Sequence, residues 1–266
     1  MTSIAVPGLS NLLRERLGEV ELRPAERGFS SDFTGIAEGA HGRAFVKAMR
    51  HREGGRLASL RREEQIAPHL RGIAPGLLWS AECDQWVALG FEVADGRCTN
   101  FAPGSPDLPA VVSAIERIGS LPLPDVAREW HETRWDRFTR DPDERALLRG
   151  NALLHTDINP SNFLLGDRMW VVDWAWPTRG AALINPACFV VQLVSAGHSA
   201  AEAEKWAEGC AAWCGANPRA LDAFAVATTR MYRSFAQRRG ATWLTAMADA
   251  AEAWATHRGV ADRLNE

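Results

Sequence analysis

The stretch from Ala152 to Asp173 constrains this chain more than any other. An apolar run, Ala152 to Leu154, leads into the polar segment His155-Thr156-Asp157-Ile158-Asn159-Pro160-Ser161-Asn162. A second apolar run, Phe163 to Leu165, follows it. Gly166-Asp167-Arg168 reads as a turn, and Met169-Trp170-Val171-Val172 as a short buried strand that ends in Asp173. The pattern predicts a polar loop, a strand, a hairpin turn and a strand with an acid at its end. Such a hairpin can bring Asp157, Asn162 and Asp173 to one edge. Two oxygen ligands there suit a Mg2+ ion that keeps its waters and binds substrate phosphates. The remaining carboxylate can orient and deprotonate a hydroxyl. An Asn-Pro turn simply joining two strands is the competing reading. Asp173 at the end of the following strand weighs against it.

The rest of the chain sets the frame. Its 266 residues suffice for one large domain or two lobes with real cores. The formal net charge of -3 argues against nucleic-acid or anionic-membrane partners. No long apolar span and no signal-like start are visible, so a cytoplasmic protein is expected. Cys83, Cys98, Cys188, Cys210 and Cys214 are scattered, which does not suit a disulfide framework. Of the 30 basic residues, only Lys47 and Lys205 are lysines. Where arginine fills nearly every basic position, a retained lysine suggests a task that needs a compact ammonium, such as a point charge on a phosphate.

Hydrophobic periodicity changes along the chain. Residues 9–18 read as a short helix, and strands begin at Val20. Arg27 to Gly35 contains Ser30 and Ser31, whose hydroxyls and neighbouring amides can donate to phosphates; an ordinary hairpin turn fits the same residues. Ala44 to Met49, which includes Lys47, reads as a strand. A helix is expected from Arg56 to Leu70, with Leu57, Leu60, Ile66, Ala67 and Leu70 on one stripe. Glu63 lies near the centre of that stripe, where a carboxylate is costly unless paired; Glu64 lies at its margin. Two more strands, Leu77–Ser80 and Gln85–Phe91, precede a change-over at Glu92-Val93-Ala94. Beyond it the pattern is helical. Asp107 caps a helix running to Ser120; helical segments follow at 125–138 and 141–149, and further helices at 189–196, 200–214, 218–238 and 241–257.

His155-Thr156-Asp157 with Asn162 resembles the H-G-D-x-x-x-x-N loop of aminoglycoside phosphotransferases and related small-molecule kinases, and Val172-Asp173-Trp174 resembles their metal-binding segment. Thr156 stands where that family usually has glycine. Asn185-Pro186 stands near where relatives carry Gly-Asp-Pro and a further aspartate. The resemblance implies an α+β, bilobal, protein-kinase-like fold. A small β-rich lobe (1–94) would bind nucleotide, and a larger helical lobe (95–266) would carry the catalytic loop and acceptor site. By the same likeness Asp157 is the catalytic base, and Asn162 and Asp173 are the magnesium ligands. Lys47, paired with Glu63, grips phosphates under a loop containing Ser30 and Ser31. Glu92 and Val93 form the adenine-binding hinge. The cofactors implied are ATP, with GTP open, and Mg2+. The implied partner is a small hydroxylated acceptor such as an aminoglycoside or nucleoside-type antibiotic, with a simple metabolite as the alternative. Trp174 and Trp176 could wall the acceptor pocket or serve as core aromatics. The acids Glu202, Glu204, Glu208 and Asp222 could draw a cationic acceptor, though a solvated helix face is the stronger reading.

Overall fold

Alternation along a single strand explains how the first part of the chain is assembled. The computed structural model describes Val6, residues 8–25 and residues 31–265. It divides into two compact units: the chain up to Gly96 with Gly166–Trp176, and Arg97–Leu165 with the chain from Pro177.

In the first unit, α1 (Leu9–Leu17) precedes β1 (Val20–Pro24), β2 (Phe33–Gly39) and β3 (Gly42–Arg50). Then come α2 (Gly55–Ile66), β4 (Leu77–Glu82) and β5 (Trp86–Phe91). The five strands form one antiparallel sheet in the order β1-β2-β3-β5-β4. Side chains alternate between faces along a strand. Ala44, Val46 and Ala48 of β3 therefore join Leu9, Leu13 and Leu17 of α1 in one core cluster. Phe45 and Met49 turn to the other face, where Leu60 of α2 packs with Val87, Leu89 and Phe91. Lys47 shares the parity of Phe45 and Met49, so the pleat delivers its side chain to the α2 face. Each fully buried leucine in these clusters contributes about 1.5–3 kcal/mol.

The expected helix from Arg56 to Leu70 stops earlier. α2 ends at Ile66, and Ala67–His69 form a 3-10 turn. Pro68 has no N–H to continue the ladder.

In the second unit the first elements are β6 (Arg97–Cys98), α3 (Leu108–Gly119), α4 (Pro142–Leu147), β7 (Ala152–Leu154) and β8 (Phe163–Leu165). The chain then passes through Gly166–Trp176, which belongs to the first unit and holds β9 (Met169–Val171). It returns with β10 (Thr178–Gly180), α5 (Ile184–Ser195), α6 (Ala200–Ala207), α7 (Ala211–Cys214), α8 (Pro218–Arg239) and α9 (Thr242–His257). β6 pairs with β8 and β7 with β10, both antiparallel. α8 begins well defined: the Asn217 side chain accepts from the Arg219 amide, and Pro218 fills the first turn. It ends at Gly240, whose φ of 62° suits glycine.

Three expectations change here. Residues 125–138 are not a long helix but two 3-10 turns, Asp125–Ala127 and Asp136–Phe138. Between them the backbone is committed to β10: the Arg179 amide donates to Trp130 O, and the Glu132 amide to Arg179 O. The helix expected over 200–214 breaks at Gly209, where a Cβ would meet Val112 Cγ1 of α3 at 2.5 Å. Cys210 consequently precedes α7 and is buried, while Cys214 is exposed. Asp107 stands at the start of α3 without capping it by its side chain. Its carboxylate instead takes two bonds from Arg97, each 2.7 Å, and one from the Asn100 amide at 2.9 Å. Among the described residues no helix is long and apolar enough to cross a membrane.

Candidate active site

The first unit gathers two carboxylates around one ammonium. Lys47 Nζ donates to Glu63 Oε1 at 2.7 Å and Oε2 at 3.0 Å, and to Asp173 Oδ1 at 2.7 Å. Lys47 and Glu63 are buried, 7% and 5% exposed. Glu64, the marginal acid of α2, pairs instead with Arg61. Burial alone would push the Lys47 ammonium down. The two carboxylates outweigh it and hold Lys47 above the ordinary lysine value. Glu63 is pushed up, by burial first and by Asp173 as well, against the pull of Lys47 and the Trp174 amide. The cluster thus keeps one firm positive charge facing two acids, of which Asp173 is the more exposed. The Trp174 indole donates to Val171 O at 3.0 Å and is buried, as a core aromatic would be. Trp176 is 45% exposed, with the Arg62 guanidinium 4.9 Å above its ring.

The second unit holds the polar loop after β7. Asp157 is exposed, and both its oxygens are held: Oδ1 by Asn159 Nδ2 and Oδ2 by Asn162 Nδ2, each at 2.9 Å. Asn162 Nδ2 also reaches Asp157 O at 2.9 Å. Asn162 thereby spends its amide nitrogen within the loop. Among the described residues its Oδ1 accepts no hydrogen bond, which leaves an oxygen of the kind a hard cation prefers. Thr156, in the usual glycine position, has φ 63°. Asn185 holds it there, its Oδ1 accepting from the His155 and Thr156 amides at 3.1 Å each. Asn185 therefore anchors the loop that carries Asp157.

Beside Asp157, within the same unit, lies a recess of about 60 Å3. Cys188 and Gln192 on α5, one helical turn apart, form one wall, and Thr228 and Tyr232 on α8 form another. Arg134, Trp135, Thr156, Asp157, Ile158 and Val191 complete the lining. Two polar atoms of lining residues are buried with no partner, Trp135 Nε1 and Thr228 Oγ1. Such orphaned groups cost about 1–3 kcal/mol each. Burial pushes the Cys188 thiol up to about 12, and pushes Tyr232 up as well, so both keep their protons.

The remaining predicted residues fall as follows. Ser30 lies outside the described residues. Ser31 is half-buried in a bend before β2. The Glu92 amide donates to Gly76 O at 2.8 Å, and its carboxylate accepts from the Gly76 amide at 3.0 Å. Val93 follows it, partly buried. The helical acids are largely occupied by the fold. Glu202 closes a capping box with Ser199, while Glu204 and Asp222 both bind Arg258. Among the described residues, no three His, Cys, Asp or Glu side chains gather as a metal site. Sequence reasoning missed Arg134 and the anchoring role of Asn185. Arginine abundance hides the first, and only the Asn185-Pro186 departure from the family pattern flagged the second.

No family model matches the chain, and no curated protein does. Solved structures do. A choline kinase from Streptococcus pneumoniae matches with TM-score 0.60 at 10% identity, over 93% of this chain and 98% of that one. A macrolide 2'-phosphotransferase from Brachybacterium faecium matches with TM-score 0.51 at 18% identity, over 92% and 98%. A microcompartment-associated aminopropanol kinase matches with TM-score 0.56 at 13% identity, over 96% of each chain. The choline kinase has also been solved in complex with AMP. The chain thus has the α+β, protein-kinase-like fold of these small-molecule kinases, with an antiparallel-sheet lobe and a helical lobe.

Proposed function

We propose that this protein transfers the γ-phosphoryl group of ATP to a hydroxyl of a small molecule. The observation that carries the reading is the Lys47 ammonium, buried in the sheet lobe and clamped by Glu63 and Asp173. A buried lysine held charged by two acids is a costly arrangement for structure alone. It suits a point charge for phosphate oxygens.

In this reading Asp157, fixed by Asn159 and Asn162, aligns the acceptor hydroxyl and takes its proton. The hydroxyl oxygen bonds to the γ-phosphorus as the bond to the bridging oxygen breaks, and ADP leaves. Ser30, Ser31, Glu92 and Val93 are assigned to nucleotide binding. Asn162 and Asp173 are assigned to magnesium, which when bound offsets the phosphate charge. Most of the rate enhancement comes from positioning and electrostatics. The acceptor class to test first is an antibiotic-type hydroxyl compound, an aminoglycoside or a nucleoside-type antibiotic, in a cytoplasmic resistance or self-resistance role. A simple hydroxylated metabolite is the second reading, favoured by the small recess beside Asp157.

The test is incubation with ATP or GTP, Mg2+ and panels of both classes, followed by mass spectrometry for an added phosphate. Asp157→Asn should retain ATP binding and lose about 10²- to 10⁴-fold in turnover. Tight ATP binding with no product from any compound would instead mark a nucleotide-binding module.

A further inference from the structure

The lining of the recess beside Asp157 includes hydrogen-bond donors that the fold leaves largely unused. Arg134 carries five N–H groups. Among the described residues its guanidinium makes one hydrogen bond, Nη2 to Thr156 Oγ1 at 2.9 Å, and lies 4.0 Å from Glu132 Oε2. Glu132 does not saturate it. Its Oε1 accepts from the Arg134 amide at 2.7 Å and its Oε2 from Thr178 Oγ1 at 2.8 Å. Trp135 Nε1 can only donate, and it is buried without an acceptor; the Thr228 hydroxyl is buried without a partner too. Asp157 is the sole carboxylate in the lining. The acids that could have drawn an ammonium from further off, Glu204 and Asp222, are neutralised by Arg258. A cationic acceptor would leave the Arg134 and Trp135 donors unmatched. An oxyanion would satisfy them.

We propose that this recess takes a small hydroxylated carboxylate, its oxyanion on Arg134 and the neighbouring donors and its hydroxyl on Asp157. The proposal rests on the phosphotransferase reading and names the acceptor class for it. It separates this chain from kinases of amino alcohols by the sign of the charge recognised.

Binding and turnover are measured separately, so that the two readings can fail separately. Saturation-transfer NMR compares three pairs of probes on the full chain: glycerate and gluconate, glycerol and ribose, choline and 1-amino-2-propanol. The same probes, with ATP and Mg2+, are followed by mass spectrometry for phosphorylated product. The carboxylates should bind, and Arg134→Met should weaken them about 10- to 100-fold, the loss of hydrogen bonds to a charged group. Arg134→Lys should restore part of the loss. Thr228→Val, which replaces an unpartnered hydroxyl with a methyl, should leave thermal stability unchanged or higher and still weaken carboxylate binding several-fold. Carboxylates that bind through Arg134 but are never phosphorylated would uphold the recess and sink the phosphotransferase reading. Binding confined to the amines or neutral polyols, binding in no arm, or carboxylate binding indifferent to Arg134→Met would overturn the proposal.

Discussion

Thr156 and Asp173 share an unusual backbone. Among the described residues they alone, apart from glycines, have positive φ, 63° each. Conformations of this kind cost on the order of 1–3 kcal/mol each and persist only where the surroundings dictate them. For Thr156 one side chain takes the backbone amide, while Arg134 holds the hydroxyl. Asn185 is 2% exposed, and its Oδ1 receives both the His155 and Thr156 amides. Asn185→Ala would orphan two buried donors at once. We predict a loss of about 2–5 kcal/mol in urea unfolding. Asn185→Asp keeps the acceptor oxygen and should recover most of that loss. If alanine proves neutral, Thr156 is held by something other than Asn185. This anchor was not legible in the sequence, because its meaning lies in contacts made 29 and 30 residues away.

At the scale of elements, the Lys47 cluster joins β3, α2 and the 166–176 segment within one unit. Its two halves were legible for different reasons. The scarcity of lysine singled out Lys47, and the apolar stripe of α2 marked Glu63 as an acid needing a partner. The helix ends were not legible, because Pro68 and the close approach of Gly209 to α3 act through backbone and tertiary fit. Lys47→Met would leave Glu63 and Asp173 facing each other without a cation. Breaking a buried pair in this way typically costs about 3–5 kcal/mol near neutral pH. The pH dependence gives a sharper signature. Glu63, already pushed up by its burial, loses the pull of Lys47 in this variant, so its folded value lies further above its unfolded one. An acid raised in this sense favours the fold below its unfolded value, and the benefit is lost as pH rises through the folded value. The deficit of Lys47→Met should therefore be large at pH 7 and shrink towards pH 4. In the parent protein the raised Lys47 contributes stability below its ordinary value of 10.5, which is lost only as pH rises through the folded value. Equal deficits at pH 4 and pH 7 would show that the acids do not depend on Lys47. Adding Glu63→Leu to Lys47→Met should restore part of the stability at pH 7.

For the molecule as a whole, a sheet-rich first part followed by a largely helical one was readable from periodicity, and the structure has that order. The recess was not, because the α5 wall of Cys188 and Gln192 and the α8 wall of Thr228 and Tyr232 enclose it only when the two helices pack. What the proposed function predicts globally is a response to nucleotide. A ligand bound only by the native state adds RT ln(1 + [L]/Kd), about 2.7 kcal/mol at a hundredfold excess over Kd. For a chain of this size each kcal/mol moves Tm by roughly 2–4 °C. Mg2+-ATP should therefore raise Tm by several degrees when the transition is followed as a single cooperative step. The variants divide that shift by role. Asp157→Asn removes the proposed proton acceptor and should keep the shift. Lys47→Met removes the proposed phosphate contact and should lose most of it, even when compared with its own ligand-free Tm. Equal shifts in the two variants would mean that ATP does not engage Lys47. The buried ammonium would then be a structural strut of the sheet lobe, and the kinase-like fold would be serving some other chemistry.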